Sequence, residues 1–293
     1  MDGQLNPPPH PPGETEQYLS APGAMPPDAP LEMPVQDRNR VTDGEPPERQ
    51  RGVTWFARLV SMATTLAIGA YGISEMIAIV GFSDMTHLQA VMMVFFSITL
   101  LWIAFSCGSA VAGLLTPHIR FPSAPIEGSR TALLMPVYNE DPIRTTASLQ
   151  AMAEELASLG AAQHFEIVIV SDSTNADAWV SESLAIDRLR RALTQVMPVR
   201  YRRRWHNVGR KVGNVEDFVK RWGGHYDYMI VLDADSLMSP ATLVTLVERM
   251  QADPRMGILQ TVPSLIGQTS LFARLQQFAS CLYGAVIARG LSA

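Results

Sequence analysis

Two long apolar stretches, 55–82 and 87–116, limit what this chain can fold into more than any other feature. The first carries one charged residue towards each end, Arg58 and Glu75, and the second carries none. Each is longer than the ~20 residues that a helix needs to cross the hydrocarbon core of a bilayer. The first is too long, and begins too far along the chain, for a cleavable signal peptide. The sequence therefore predicts a hairpin of two transmembrane helices over 55–116.

Basic residues flank this hairpin on one side only. Arginines precede or begin the first stretch and follow the second, and the connecting segment contains neither Lys nor Arg: Arg38, Arg40, Arg49, Arg51 and Arg58, then Arg120 and Arg130. Because segments rich in Lys and Arg stay on the cytoplasmic side of a membrane, both ends of the hairpin are predicted to be cytoplasmic.

The first fifty-four residues have a different composition. They hold twelve of the 21 prolines, few aliphatic residues and charges of both signs. A segment this poor in apolar groups cannot offset the entropy lost on ordering, so 1–54 is predicted to be a disordered cytoplasmic tail. The alternative is that its proline clusters act as a polyproline ligand.

After the hairpin, apolar runs alternate with helical patterns. The runs cover 131–140, 165–173 and 228–236, and the helical patterns cover 142–159, 176–196 and 216–222. Such alternation is typical of βαβ units, and it predicts an α/β domain with a doubly wound parallel sheet over 117–293.

Two aspartates, Asp233 and Asp235, directly follow the last apolar run. Open α/β sheets place their ligand sites at the carboxyl ends of the strands. Two carboxylates there suit Mg²⁺ or Mn²⁺, which take oxygen ligands and leave the remaining positions to phosphate and water. A strand that ends in an acidic turn is also common without any metal, so the pair alone leaves both interpretations open.

Charge and cysteine content exclude other classes of function. The formal net charge of −5 gives no support to a nucleic-acid-binding protein, and no nucleic acid is expected as a partner. The two cysteines, Cys107 and Cys281, form no Cys-x-x-Cys pair, so neither a disulfide framework nor a zinc site is predicted.

Five motifs in a fixed order resemble those of the processive membrane glycosyltransferases of family two, which include cellulose and hyaluronan synthases. They are Pro-Val-Tyr-Asn-Glu (136–140), Ser-Asp-Ser (171–173), Gly-Arg-Lys-Val-Gly-Asn (209–214), Leu-Asp-Ala-Asp-Ser (232–236) and Gln-Thr-Val-Pro (260–263). The motifs are most similar to those of the branch that makes osmoregulated periplasmic glucans. The resemblance implies a GT-A-type nucleotide-sugar domain behind the transmembrane hairpin, in a bacterial inner membrane.

The resemblance also implies which residues bind the donor, a UDP-sugar and in this branch UDP-glucose. Tyr138, as a stacking face, and Glu140 would grip the nucleotide, and Asp172 would contact its uracil end. Asp235 would ligate the metal directly, and Asp233 would face the ribose or orient the metal.

Two further residues complete the predicted site. Lys211 lies in the glycine-rich basic segment 207–214, and it would supply positive charge to the diphosphate. Gln260 would begin a loop that lines the path of the growing glucan acceptor. The arginine triplet 202–204 is instead interpreted as a solvated basic face, or as a contact for acidic lipid headgroups.

One part of the family pattern has no candidate in this sequence. No Asp or Glu follows Asp253, so the catalytic base that activates the acceptor is expected beyond Ala293. Two interpretations stay open: the donor-binding portion of an inverting β-glucosyltransferase, or a catalytically incomplete, membrane-tethered nucleotide-sugar-binding or regulatory protein. Transfer of one sugar to a lipid phosphate carrier fits the motifs less well. The expected partners are the UDP-sugar, the glucan, the lipid bilayer and other glucan biosynthesis proteins.

Overall fold

The computed structural model describes residues 25–32, 51–81, 85–116, 122–263, 265–267, 269–280 and 284–292. The chain divides into two compact units. An α/β unit comprises Met1–Asp37 and Phe121–Leu259, and a helical unit comprises Arg38–Arg120 and Gln260–Ala293. The predicted domain 117–293 is therefore divided at Gln260, whose segment groups with the helical unit.

The elements follow in a βαβ order after two long helices. They are α1 (Arg51–Val80), α2 (His87–Leu115), β1 (Thr131–Val137), α3 (Pro142–Ser158), β2 (Phe165–Ser171), α4 (Ala176–Ala192), β3 (Val199–Arg203), α5 (Arg210–Trp222), β4 (Tyr228–Val231), α6 (Pro240–Ala252), α7 (Leu271–Ala279) and α8 (Ala285–Ser292). Two short 3-10 turns, Ala162–His164 and Gly223–His225, precede β2 and β4.

Helices α1 and α2 of the helical unit match the two predicted apolar stretches. Both are long and apolar enough to cross a membrane, with mean hydropathies of 1.5 and 2.2. Helix α1 begins at Arg51, earlier than predicted. Helix α2 begins with a capping box, in which Thr86 accepts from the Gln89 backbone and the Gln89 side chain accepts from the Thr86 backbone.

Glycines allow the helices of this unit to approach backbone to backbone. A Cβ atom on Gly108 would lie 2.4 Å from the Ser61 carbonyl oxygen of α1. A Cβ atom on Gly113 would lie 2.0 Å from the Val286 oxygen of α8, and one on Gly290 would lie 2.0 Å from the Ser109 oxygen. Such small-residue contacts are typical of helices that pack within a bilayer.

The α/β unit contains a four-stranded sheet in the order β3-β2-β1-β4. All its strands are parallel, as the sequence predicts, but β3 was not predicted. All residues of β1 and β2 are buried, which explains their continuous apolar runs. The chain steps outward from β1 to β3 and then returns to the other side of β1. The gap between the carboxyl ends of β1 and β4 is therefore the topological switch point of the sheet.

Helix α5 begins earlier than its sequence pattern indicates. The predicted helix covers 216–222 and follows a loop, but residues 210–214 already form its first turns. Gly209 starts the helix with a left-handed φ of 71°. Gly213 is required one turn later, because a Cβ atom there would lie 2.0 Å from the Val208 carbonyl oxygen. Gly209 and Gly213 thus allow the basic segment to form the first turns of a helix.

Part of the proline-rich tail is ordered against the α/β unit. Residues 25–32 lie on α5 and on the 3-10 turn that follows it, and Met25 is buried beside Phe218 and Trp222. The prediction of disorder was wrong for this segment. Composition indicates that it cannot fold alone, but an aromatic surface elsewhere in the chain gives it a partner.

Candidate functional site

The predicted acidic pair lies at the carboxyl end of β4, beside the switch point. Leu232 is buried and extends the ladder by donating its backbone N–H to the Leu134 oxygen at 2.8 Å. The chain then turns, with the Ser236 N–H bonded to the Asp233 oxygen at 3.0 Å. The carboxylates of Asp233 and Asp235 both project from this turn into solvent, where they can accept a ligand.

Lys211 forms an ion pair with Asp233. It is the second residue of α5, so the start of this helix lies at the same edge of the sheet as the acidic turn. The two side chains remain 53% and 61% exposed, and the pair is therefore open to exchange with a charged ligand. The structure thus brings together Lys211, Asp233 and Asp235.

Arg144 is a second cation at this turn, which the sequence analysis missed. Its Nη2 atom donates to the Asp235 backbone oxygen at 3.3 Å, and its side chain is exposed. It lies in the first turn of α3, which begins directly after the polar turn that follows β1. A basic residue shortly after a strand end at the ligand-binding edge is the signal that could have identified it.

The end of β1 places Tyr138, Asn139 and Glu140 at the same edge. All three are exposed, and Asn139 adopts a left-handed backbone conformation with φ of 52°. Its N–H donates to the Ser173 hydroxyl at 2.9 Å, and its side-chain oxygen accepts from the N–H groups of Thr174 and Asn175 at 3.2 Å. Asn139 therefore joins the ends of β1 and β2 and leaves the Tyr138 ring free to face a ligand.

Asp172, at the end of β2, is buried and holds an arginine. Its two carboxylate oxygens accept from the Arg204 Nε and Nη2 atoms at 2.5 and 2.9 Å. Arg204 also donates to the carbonyl oxygens of Val208 and Arg210, at 2.9 and 2.8 Å. The hydrogen bonds that Arg204 donates to the Asp172 carboxylate raise the pKa of Arg204. In this structure Asp172 shapes the segment that leads into Lys211.

The arginine triplet 202–204 is not a solvated basic face, and that prediction was wrong. The Arg202 side chain is only 9% exposed, and it pairs with Asp217 at 2.5 Å and Asn214 at 2.8 Å. Burial lowers the pKa of Arg202. The guanidinium carbon of Arg203 lies 4.8 Å from the Trp179 ring centroid and 5.5 Å from that of Trp205. The pairing partners lie far away in sequence, which explains the error.

Glu182 anchors a buried network behind the site. Its carboxylate accepts from the Ser173 hydroxyl at 2.7 Å and from the Tyr201 hydroxyl at 2.9 Å. Burial, and then the Glu182 charge, raise the pKa of Tyr201. The Ser173 hydroxyl also accepts from the Asn139 N–H. The network therefore connects α4 with the ends of β1 and β2. A glutamate within a helical pattern gives no sequence signal of this role.

The donor set fits a hard divalent cation with few protein ligands. Within the described ranges, no three His, Cys, Asp or Glu side chains cluster as a ready-made metal cage. Asp233 and Asp235 offer two exposed carboxylates. Mg²⁺ is usually bound by one or two carboxylates together with phosphate and water, and Mn²⁺ also accepts such oxygen ligands. Gln260 is exposed and begins the second segment of the helical unit.

Most of the chain is similar to proteins of one known family. Residues 132–289 match the profile of "Glycosyl transferase family 2". The chain is 39% identical over 277 residues to the "Glucans biosynthesis glucosyltransferase H" of Vibrio cholerae serotype O1, covering 92% of this chain and 38% of the relative. It is 40% identical over 286 residues to the protein of that name from Shewanella baltica, covering 95% and 39%. The chain thus spans less than half the length of these relatives.

A solved structure is also similar at a lower level. It is a mannosyltransferase from Pyrobaculum calidifontis in complex with GDP-Man and Mn²⁺, with 15% sequence identity and a TM-score of 0.34. The match covers 70% of this chain and 45% of the mannosyltransferase.

Proposed function

Because this chain belongs to glycosyl transferase family 2, we propose that it forms the donor-binding part of a membrane glucosyltransferase. The proposed enzyme uses UDP-glucose to build the β-glucan backbone of osmoregulated periplasmic glucans. The observation that carries the proposal is the acidic turn Asp233–Asp235 at the switch point of the sheet, with Lys211 paired to it. The names of the relatives support the choice of glucose and glucan.

The acidic turn and the cations beside it would stabilise the diphosphate leaving group. Asp233 and Asp235 would hold Mg²⁺ or Mn²⁺, which neutralises the negative charge that develops on the diphosphate. Lys211 exchanges its contact with Asp233 for a diphosphate oxygen, since the pair is exposed and a lysine side chain is flexible. Arg144 holds the turn in place through the Asp235 backbone oxygen and supplies further positive charge beside it.

The nucleotide end of the donor is assigned to the edge of the sheet at β1 and β2. Tyr138 stacks on the uracil through its exposed ring. Asp172 acts by holding Arg204, and through it the start of α5. Glu140 contributes a further exposed carboxylate at this edge.

The helical unit contacts the acceptor and the membrane. Gln260 contacts the growing glucan. Helices α1 and α2 span the inner membrane as part of a multi-pass protein, with the tail and the α/β unit in the cytoplasm, where the flanking arginines favour them.

Calorimetric titration of UDP-glucose into the detergent-purified chain, with and without Mn²⁺, tests the donor site. We expect metal-dependent binding that is lost in Asp235→Ala. It should be retained in Asp187→Ala, which removes a half-exposed carboxylate from α4. Folded protein that binds no UDP-glucose in the presence of Mn²⁺ would contradict the proposal.

A further inference from the structure

Residues 25–32 form an extended strap against the C-terminal end of α5. Met25 is its single buried anchor, 9% exposed and packed in the cluster that contains Phe218 and Trp222. From Pro27 onwards the strap is exposed, apart from the half-buried Ala29. A segment with one buried apolar anchor and otherwise mainly exposed contacts has a low local stability, so we expect it to open without unfolding of the sheet.

Two aromatic side chains donate hydrogen bonds to the carbonyl groups of prolines in the strap. The Trp222 Nε1 atom donates to the Pro26 oxygen at 3.0 Å. The His225 Nε2 atom lies 2.7 Å from the Pro27 oxygen, and it must be the donor because a carbonyl can only accept. Aromatic surfaces that donate to proline carbonyls are typical of sites for proline-rich peptides, whose extended form costs little entropy to bind.

Backbone pairing caps the helix that carries this surface. The Ala29 N–H donates to the Arg221 oxygen at 2.8 Å, and the Gly224 N–H donates to the Ala29 oxygen at 2.9 Å. The last carbonyl groups of a helix have no partner within it. The strap therefore supplies α5 with a donor that the helix itself lacks.

Gly224 makes room for this close approach. The three atoms nearest to a Cβ at this position all belong to the strap, with the Ala29 oxygen at 2.8 Å. The Gly224 backbone lies outside the left-handed region, so alanine would strain no dihedral angle. A single methyl group at Gly224 thus acts on the strap and spares the rest of the α/β unit.

We propose that this surface is a binding site for proline-rich peptides, and that residues 25–32 are its resident ligand, docked reversibly. We name it the proline-docking face and define it by Val219, Trp222, Gly224 and His225. The proposal is independent of the glycosyl transfer proposed above, since it concerns the opposite end of α5 from Lys211.

Hydrogen exchange of the full chain in detergent tests the docking. The Ala29 and Leu31 amides, which donate to α5 carbonyl groups, should be protected in the wild-type protein. In Gly224→Ala their exchange should be at least tenfold faster, while the amides of β1 and β2 remain protected. Gly257→Ala is the matched control, since a Cβ atom there would meet nothing within 4 Å, and it should leave the strap protected.

A labelled peptide of residues 22–34 tests whether the site takes a ligand in trans. It should bind the full-length Met25→Asp variant, whose own strap is released, at least tenfold more tightly than the wild-type chain. In the wild-type chain the tethered strap competes with the peptide as an intramolecular ligand. Adding Trp222→Phe to this variant should weaken peptide binding. Unprotected strap amides in the wild-type protein would overturn the proposal. So would a Met25→Asp chain that keeps its sheet protection and binds no peptide.

Discussion

Lys211 and Asp233 form an ion pair that joins the first turn of α5 to the turn after β4. The ammonium group neutralises one of the two carboxylates that would ligate a metal ion. Binding of a metal at Asp233 would therefore be linked to release of Lys211, and the released ammonium would be available to a diphosphate.

Removal of the Lys211 ammonium should raise the affinity for Mn²⁺ and lower the affinity for UDP-glucose. In Lys211→Met, the acidic turn loses its competing cation, so its affinity for free Mn²⁺ should rise by about twofold to fivefold, the value of an exposed ion pair. The affinity for UDP-glucose should fall by about tenfold or more, because a charge-assisted hydrogen bond is lost. Electron paramagnetic resonance of Mn²⁺ and calorimetry measure the two effects. Lys220→Met, which breaks the Glu216 pair on the same helix, should change neither.

Arg204→Gln should destabilise the α/β unit strongly. The Asp172 carboxylate is only 6% exposed, so removal of its partner leaves a buried charge without compensation. We expect a loss of about 3–5 kcal/mol in the free energy of unfolding. Denaturant unfolding followed by tryptophan fluorescence measures it. Arg191→Gln removes an exposed arginine from its pair with Asp187 and should cost about 1 kcal/mol or less. Equal losses in the two variants would contradict this account.

Alkaline pH should weaken the fold through two tyrosines. Burial, followed by the charges of Glu182 and Glu166, raises the pKa of Tyr201 and of Tyr226. Because the folded pKa lies above the unfolded value of about 10, this stabilisation is complete below pH ~10 and is lost as the pH rises further. Each group should contribute a slope of about 1.4 kcal/mol per pH unit there. Unfolding measured between pH 8 and 11 should show a smaller slope for Tyr201→Phe and for Tyr226→Phe than for the wild-type protein.

Gly113→Ala should displace α8 from α2. The added methyl group would lie 2.0 Å from the Val286 carbonyl oxygen, and backbone atoms cannot move aside as a flexible side chain can. Amides of 285–292 should therefore exchange faster with solvent. Gly52 lies in the same unit, and a Cβ atom there would meet nothing within 4 Å. Gly52→Ala should therefore leave the exchange of 285–292 unchanged. Protection of α8 that survives in Gly113→Ala would show that the crossing tolerates a side chain.

The sequence predicts β1 and β2 well because these two strands are buried on both faces. The apolar runs at 131, 165 and 228 each begin where β1, β2 and β4 begin. The acidic turn follows from the same pattern, since Asp233 and Asp235 stand directly after such a run. Local composition determines these features, so no knowledge of the fold is needed to locate them.

The errors concern residues whose partners are distant in sequence. Arg204 meets Asp172 across 32 positions, and Arg202 meets Asp217 across fifteen. Three consecutive arginines therefore resemble a solvated face until the fold supplies their carboxylates. The start of α5 was missed for another reason, because glycine usually indicates a loop, whereas Gly209 here begins a helix.

The strap and its docking face are separated by an unusually long stretch of chain. Pro26 and Trp222, which share a hydrogen bond, lie 196 positions apart. At 5–20 residues per second, a ribosome would complete α5 about 10–40 s after it makes the strap. Both membrane-length helices are synthesised within that interval. Until α5 is made, the strap lacks the partners that it has in the folded chain, and its proline-rich, weakly apolar composition suits this. The strap can therefore dock only after the α/β unit has been synthesised as far as the end of α5.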